Sequence, residues 1–234
     1  MLVTPEELQE TLQQNGIAVT KEQMSQFALY ASMLQEWNQR MNLTAIRETA
    51  EIYEKHFLDC ALPAFERKIS GSLCDVGAGA GFPSLPLKIL LPDLRVTIIE
   101  PIGKRCQFLR ALTEALGLSD VVIVNARAED YAKEHRETFD FVTARAVANL
   151  RVLSELCIPL VKIGGVFLAM KGSAGIEEAK EAQRAIALLG CAAEAQDVRR
   201  LGTDSLRCNL IYRKEKPTPK QYPRNYAMIK KKPL

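Results

Sequence analysis

The segment Asp75-Val76-Gly77-Ala78-Gly79-Ala80-Gly81-Phe82 concentrates the residues best suited to holding a small charged molecule. Three alternate glycines follow the apolar run Leu73-Cys74-Asp75-Val76, so backbone can approach a ligand with no Cβ in the way. A helix predicted from about Pro83 to Leu90 would aim its free amides and positive dipole end at the same ligand. Glu100 ends the next predicted strand, 23 residues after Gly77, where a carboxylate can accept both hydroxyls of an adenosine ribose. A glycine-rich turn alone is weak evidence. Strand, glycine loop, helix, strand and acid in this order point to a nucleotide.

The spacing bears on which nucleotide. A dinucleotide site uses Gly-x-Gly-x-x-Gly, whose glycines admit a pyrophosphate. Here the third glycine comes one position early, and Asp75 lies two residues before the first. A carboxylate there repels a pyrophosphate and welcomes an ammonium or a sulfonium. No phosphate-loop lysine follows, which disfavours an ATPase. Asp-x-Gly-x-Gly-x-Gly resembles the first motif of class I S-adenosylmethionine methyltransferases, so S-adenosylmethionine is the expected cofactor. A nicotinamide-dependent oxidoreductase is the alternative from another reaction class.

The elements that must position this loop divide the chain in two. Residues 1–65 read as a helical cap. Thr4-Pro5-Glu6-Glu7 and Thr20-Lys21-Glu22-Gln23 are capping boxes, and Asn15-Gly16 stops the first helix. Met24, Phe27, Ala31, Leu34, Trp37 and Met41 recur every three or four residues, an apolar face better explained as core than as a ligand box. A third helix is expected over Thr49–Phe65, ending or kinking near Pro63. Residues 66–234 then alternate predicted strands and helices. Strands are expected at 95–100, 121–125, 139–144 and 165–170, and helices at 104–116, 150–162 and 176–189. Two further strands, 193–199 and 206–213, have no long helix between them and read as an antiparallel hairpin at the sheet edge. The fold class is α/β, a Rossmann-like and mostly parallel sheet with helices on both faces.

Composition excludes several classes. Of 234 residues, 47% are hydrophobic and 25% charged, which excludes disorder. No apolar run reaches membrane-spanning length, and the first residues lack a signal-peptide layout, so a cytoplasmic protein is expected. Six scattered cysteines without a Cys-x-x-Cys pair, and only His56 and His135, offer no metal site. The net charge of +3 hides an asymmetry. Residues 213–234 hold eight Lys/Arg and one Glu, a local +7, so the rest sums to −4. A basic tail on an acidic body suits a polyanion, although a merely solvated tail has the same composition.

Further strings run in order along the chain: Trp37-Asn38, Asn42-Leu43-Thr44, His56-Phe57-Leu58-Asp59-Cys60, Gly81-Phe82-Pro83-Ser84-Leu85-Pro86-Leu87, and Glu100 with Lys104-Arg105 and Phe108-Leu109. Arg127-Ala128-Glu129, Ala144-Arg145-Ala146-Val147-Ala148, Lys171-Gly172, Tyr222-Pro223-Arg224 and Lys230-Lys231-Lys232-Pro233-Leu234 complete the set. Together they resemble the RsmG or GidB family, the bacterial 16S (small-subunit) rRNA guanine-N7 methyltransferases. Ser84, Cys60 and Glu100 depart from the family's usual glycine, serine and aspartate, as does Asn225-Tyr226-Ala227 from its more basic form.

The resemblance implies seven strands, six parallel and one antiparallel, behind an N-terminal helical extension; a monomer is the expected state. It implies cofactor contacts at Gly77, Gly79 and Phe82 for the methionine part, Glu100 for the ribose, Ala128 and Glu129 beside the adenine, and Arg145 where substrate approaches. Each has a plainer reading: Arg145 as an ion-pair partner, Glu129 as a cap, Phe82 as core, and His56 as a satisfied interior histidine. The implied substrate is a guanosine in the 530 stem-loop of small-subunit rRNA, in naked RNA or a ribosomal particle. Its N7 carries a free lone pair, so no general base is needed. Arg145, Lys171, Arg224, Lys230 and Lys231 are the expected RNA contacts, with Lys214, Lys216, Lys220 and Lys232 on phosphates and Tyr222 and Tyr226 available for stacking. A methyltransferase with another substrate and a non-catalytic RNA-binding factor are the remaining alternatives.

Overall fold

The computed structural model describes residues 3–202 and 205–234. Both capping boxes form: Thr4 and Glu7 exchange hydrogen bonds ahead of α1 (Pro5–Gln14), and Thr20 and Gln23 do so ahead of α2 (Lys21–Met41). The next helix covers the expected range and one residue more. It runs unbroken from Thr49 to Glu66 as α3 (Thr49–Ile52), a wide π-type turn (Tyr53–Leu58) and α4 (Asp59–Glu66), with Pro63 inside α4 rather than ending it.

Seven strands follow: β1 (Ser72–Val76), β2 (Arg95–Ile99), β3 (Val121–Val124), β4 (Phe139–Arg145), β5 (Val161–Lys171), β6 (Cys191–Leu201) and β7 (Ser205–Lys214). They lie in the order β3-β2-β1-β4-β5-β7-β6, with only β7 antiparallel to its neighbours. Between them run α5 (Ser84–Leu90), α6 (Gly103–Ala115), α7 (Ala128–Glu134), α8 (Leu150–Cys157) and α9 (Gly175–Leu188). The helix expected to reach residue 162 stops at Cys157. Pro159 has no N–H to continue it, so a single 3-10 turn intervenes and β5 starts at Val161.

The cap is part of the core. Leu8, Phe27, Leu34 and Phe57 share one buried cluster with Leu73, Val96, Ile98 and Phe108 of the sheet and α6. Trp37 packs on Phe108 with ring centroids 5.5 Å apart, a core contact. On the other face α7, α8 and α9 cover Cys74, Val142, Phe167 and Leu210. Strand order reverses between β1 and β4, so the loops leaving their carboxyl ends open a crevice. That crevice brings Gly77 and Arg145 together.

The tail is not a solvated arm. Lys214 is fully buried and donates to the carbonyls of Ile158 and Leu189. Arg224 grips Glu155, and Arg151 donates to the carbonyls of Pro233 and Leu234. Tail residues 214, 224 and 234 thus meet 158, 155 and 151 in turn, a strap running antiparallel along α8. A last helix that the sequence reading missed, α10 (Tyr226–Lys231), anchors Ile229 in the core.

Candidate active site

A cleft of about 600 Å³ opens at the crevice, within the range of roughly 300–1,000 Å³ usual for small-molecule sites. Gly77 to Ala80 and Phe82 form one wall, the cap contributes Thr44, Lys55, His56 and Asp59, and Arg145, Lys171 and Arg207 come from strand ends.

The glycine loop needs its glycines for different reasons. Gly77, Gly79 and Gly81 all have positive φ, of 73°, 60° and 99°. A Cβ on Gly81 would lie 2.6 Å from both Leu85 Cδ1 and Tyr30 Oη, so this glycine serves packing. A Cβ on Gly79 would meet nothing within 4 Å, so this one faces the open cleft. Tyr30 Oη donates to the Ala80 carbonyl at 2.6 Å, so the cap fixes the loop from behind.

Two acids flank the loop and differ in role. Glu100, 1% exposed, accepts the Gly79 N–H and the Ile102 N–H, each at 3.0 Å. One oxygen takes each bond, so each keeps a lone pair for a further donor. Asp75 lies beneath the loop, wholly buried, where it accepts the Ser84 N–H at 3.0 Å. Burial pushes its carboxyl up to about 7, opposed by the Ser84 hydrogen bonds and Arg145. Through Oδ2, Asp75 ties the start of α5 to β1, and its Oδ1 has no hydrogen-bond partner among the described residues.

Opposite the loop, Arg145 is held by the cap. Its Nη1 donates to Asp59 at 2.8 Å and to the Lys55 carbonyl at 3.1 Å, while Nη2 lies 3.0 Å from His56 Nδ1. The π-type turn supplies both Lys55 and His56, and such turns recur at functional sites. A guanidinium can only donate, so His56 Nδ1 is the acceptor and Nε2–H faces Thr44 Oγ1 at 3.0 Å. Burial and then Arg145 hold His56 down to about 3, so the ring is neutral. The ring stacks on Phe82 at 4.2 Å, and Arg145 lies over the same Phe82 face at 4.8 Å.

Among the expected site residues, Gly77, Gly79, Phe82, Arg145 and Lys171 line the cleft, and Glu100 is bonded to its wall. Ala128 and Glu129 begin α7 and are buried, outside that lining. Lys171 is paired with Glu178 at 2.8 Å and donates to the Ala148 carbonyl. Arg224 is turned away by a two-pronged ion pair with the fully buried Glu155. Lys230 and Lys231 are exposed on α10. Asp59 and Arg207 were not singled out from the sequence. Asp59 lies in the string His56–Cys60, but its role does not show there, because it acquires its partners across 86 and 148 residues of chain.

The cleft fits S-adenosylmethionine on its own terms. Gly79 leaves open space, Glu100 has unused acceptor capacity for ribose hydroxyls, and the edge of Phe82, packed between Tyr30 and His56, borders the cleft beside the Arg145 guanidinium that Asp59 holds.

Comparison with known proteins gives the family and the fold. The chain matches the family described as GidB, rRNA small subunit methyltransferase G, over residues 23–205. It is 46% identical to a Geobacillus thermodenitrificans protein named "Ribosomal RNA small subunit methyltransferase G", covering 97% of this chain and 98% of that one. A protein of the same name from Ligilactobacillus salivarius is 48% identical, covering 99% and 100%. Among solved structures, M. jannaschii TYW2 in complex with AdoMet superposes with a TM-score of 0.52 at 18% identity, over 67% of this chain and 74% of that one. A mutant 16S rRNA (adenine(1408)-N(1))-methyltransferase from Catenulisporales acidiphilia also gives 0.52, at 17% identity, over 66% and 87%. Those two likenesses concern the fold, a class I methyltransferase sheet; the full-length identities decide the family. The chain belongs to the GidB family, rRNA small subunit methyltransferase G.

Proposed function

We propose that the protein transfers a methyl group from S-adenosylmethionine to N7 of a guanosine in small-subunit rRNA, in the 530 stem-loop that the resemblance to the RsmG family indicates. The observation that carries this reading is the near-complete match to relatives named for small-subunit rRNA methylation, on a chain whose glycine loop, bonded to Glu100, walls a cleft of the right size.

Bound in the cleft, S-adenosylmethionine supplies an electrophilic methyl on a sulfonium. The chain's own residues supply position. Gly77, Gly79 and Phe82 hold the methionine side, Glu100 holds the ribose, and Arg145 bounds the side where the reacting base arrives. Holding nucleophile and methyl near 3–3.5 Å in line is the main contribution such a site can make. The cleft is poor in bases: His56 is held down to about 3, and Tyr30 and Cys60 are pushed up by burial and stay protonated. Asp75, raised by burial to about 7, is sealed beneath the loop. Such a site favours a nucleophile that needs no proton removed. Guanine N7 has that property, while an exocyclic amine must shed a proton.

The test is methyl incorporation from labelled cofactor into small-subunit rRNA and ribosomal particles, followed by nucleoside mass spectrometry. We expect 7-methylguanosine at one site. Label confined to protein or to another nucleoside would overturn the reading. Tight NAD binding without S-adenosylmethionine affinity, by equilibrium titration, would overturn the cofactor assignment.

A further inference from the structure

Asp59 is a single carboxylate between two guanidiniums. Its Oδ2 accepts from Arg145 Nη1 at 2.8 Å and its Oδ1 from Arg207 Nε at 2.9 Å, with Asp59 only 3% exposed. The group carries one uncompensated positive charge on the cleft wall. The other cations there have carboxylates nearby: Lys171 pairs with Glu178, Lys55 with Glu51, and Arg105 lies 3.8 Å from Glu100. The excess charge therefore belongs to Arg145 and Arg207.

Their remaining capacity differs. Both terminal nitrogens of Arg145 are engaged, by Asp59, the Lys55 carbonyl and His56. Arg207 uses Nε on Asp59 and Nη1 on the Leu206 carbonyl at 3.3 Å; among the described residues Nη2 makes no hydrogen bond. Arg207 stands on β7, beside the carboxyl end of β5, where Cys208 pairs with Lys171. Cys208 turns to the core under α9, and Arg207, one residue earlier, turns to the cap and the cleft.

We infer that Arg207 is a specificity residue, and that its Nη2 donates to the exocyclic O6 of the target guanine while Asp59 holds the guanidinium in place. This deepens, and rests on, the proposed guanine-N7 methylation. To bring N7 to a methyl held at the glycine loop, the base itself must leave its stack and enter the cleft. O6 is the acceptor next to N7 on that edge, and a guanidinium is its natural partner. Adenine presents an amino group there, and two donors would face each other. A guanidinium with one arm anchored and one arm open thus admits guanine and rejects adenine without touching N7.

The inference is tested by a double-mutant cycle in kcat/KM. Wild-type protein and Arg207→Met are each assayed on rRNA carrying guanosine or 2-aminopurine ribonucleoside at the target; the latter keeps N7 and lacks O6. For wild type, loss of O6 should cost roughly tenfold or more, the size of one hydrogen bond to a charged group. Arg207→Met should lose a similar factor on guanosine and discriminate little between the two bases, with cofactor Kd unchanged. Losses that multiply instead of coinciding would overturn the inference, whether Arg207 then holds a phosphate or only the fold. If Arg207→Met fails to fold, Arg207→Lys decides: undiminished preference for guanosine over 2-aminopurine overturns the assignment. A wild-type protein that methylates no guanine N7 in rRNA removes the parent reading and this one with it. A wild type that methylates it, with a multiplicative cycle, removes only the role of Arg207.

Discussion

The cleft and the C-terminal strap hold the same chemistry, arginines and lysines beside carboxylates, and use it in opposite ways. In the strap the buried charges are satisfied: Glu155 takes Arg224 in two bonds, and Lys214 places its donors on two carbonyls and Thr218 Oγ1. In the cleft one carboxylate, Asp59, serves two arginines, and positive charge is left over. Fully matched charge fastens chain to chain, whereas mismatched charge at a cavity wall is capacity for a ligand. By sequence the strap is the cationic region; in the folded molecule its inward-facing cations are spoken for, lysines such as Lys230 and Lys231 stay exposed on its surface, and the cleft adds an arginine that shares its carboxylate.

The largest expected effect falls on the strap. Glu155→Ala leaves a guanidinium without its partner against α8 and should cost about 3 kcal/mol, roughly 10 °C in Tm, with cofactor Kd unchanged. A loss of cofactor binding in proportion would show that strap and cleft are one unit and dissolve the contrast.

Next comes the acid beneath the glycine loop. The carboxyl of Asp75 is raised from its ordinary value to about 7, so its contribution to stability is fully present below about pH 4 and is lost as pH rises through 7. Asp75→Asn should therefore match wild type near pH 4 and exceed it by roughly 5 °C in Tm at pH 8. His56 runs the other way, since its lowered value makes stability fall as pH drops from 6.5 towards 3. Comparing each variant with wild type by thermal denaturation at matched pH isolates the Asp75 part. A Tm difference that does not change with pH would show that Asp75 is ionised throughout.

Glu100→Gln should weaken S-adenosylmethionine by roughly tenfold in calorimetry, since one oxygen must still accept from Gly79 or Ile102 while the amide adds donors where acceptors are needed. A changed Tm with unchanged Kd would move Glu100 to the structural side of the comparison. The smallest effect is expected on α10. Replacing Lys230, Lys231 and Lys232 by Gln should leave Tm unaltered and lower the salt slope of RNA binding by about 2. An unaltered slope would make the exposed lysines a solvated surface only.

Much of the fold was legible because its signals are local. A capping box acts over four residues, and Thr4 and Thr20 both start the helices that their sequences promised. Buried parallel strands are short apolar runs, and β1 to β4 fall within a residue or two of where those runs lie. The glycine loop was legible for the same reason, since alternate glycines declare positive φ without reference to distant residues. The π-type turn was not legible, because Lys55 and His56 within it meet Arg145 from 90 and 89 residues away, while α10 was passed over although Asn225 caps it locally. Arg224 read as a phosphate contact because sequence counts charges and does not show that Glu155, 69 residues away, already holds it.

The sequence by itself determined the sheet, the glycine loop, Glu100 and the family, all carried by residues near one another in the chain. Only the tertiary structure decided which charges are spoken for. Asp75 is sealed away and raised, His56 is neutral, Arg145 is gripped by the cap, and Arg207 reaches the same wall from the opposite end of the chain. The reason is physical. A charge's availability depends on its burial and on the partner it meets through space, and those partners here come from segments more than eighty residues apart.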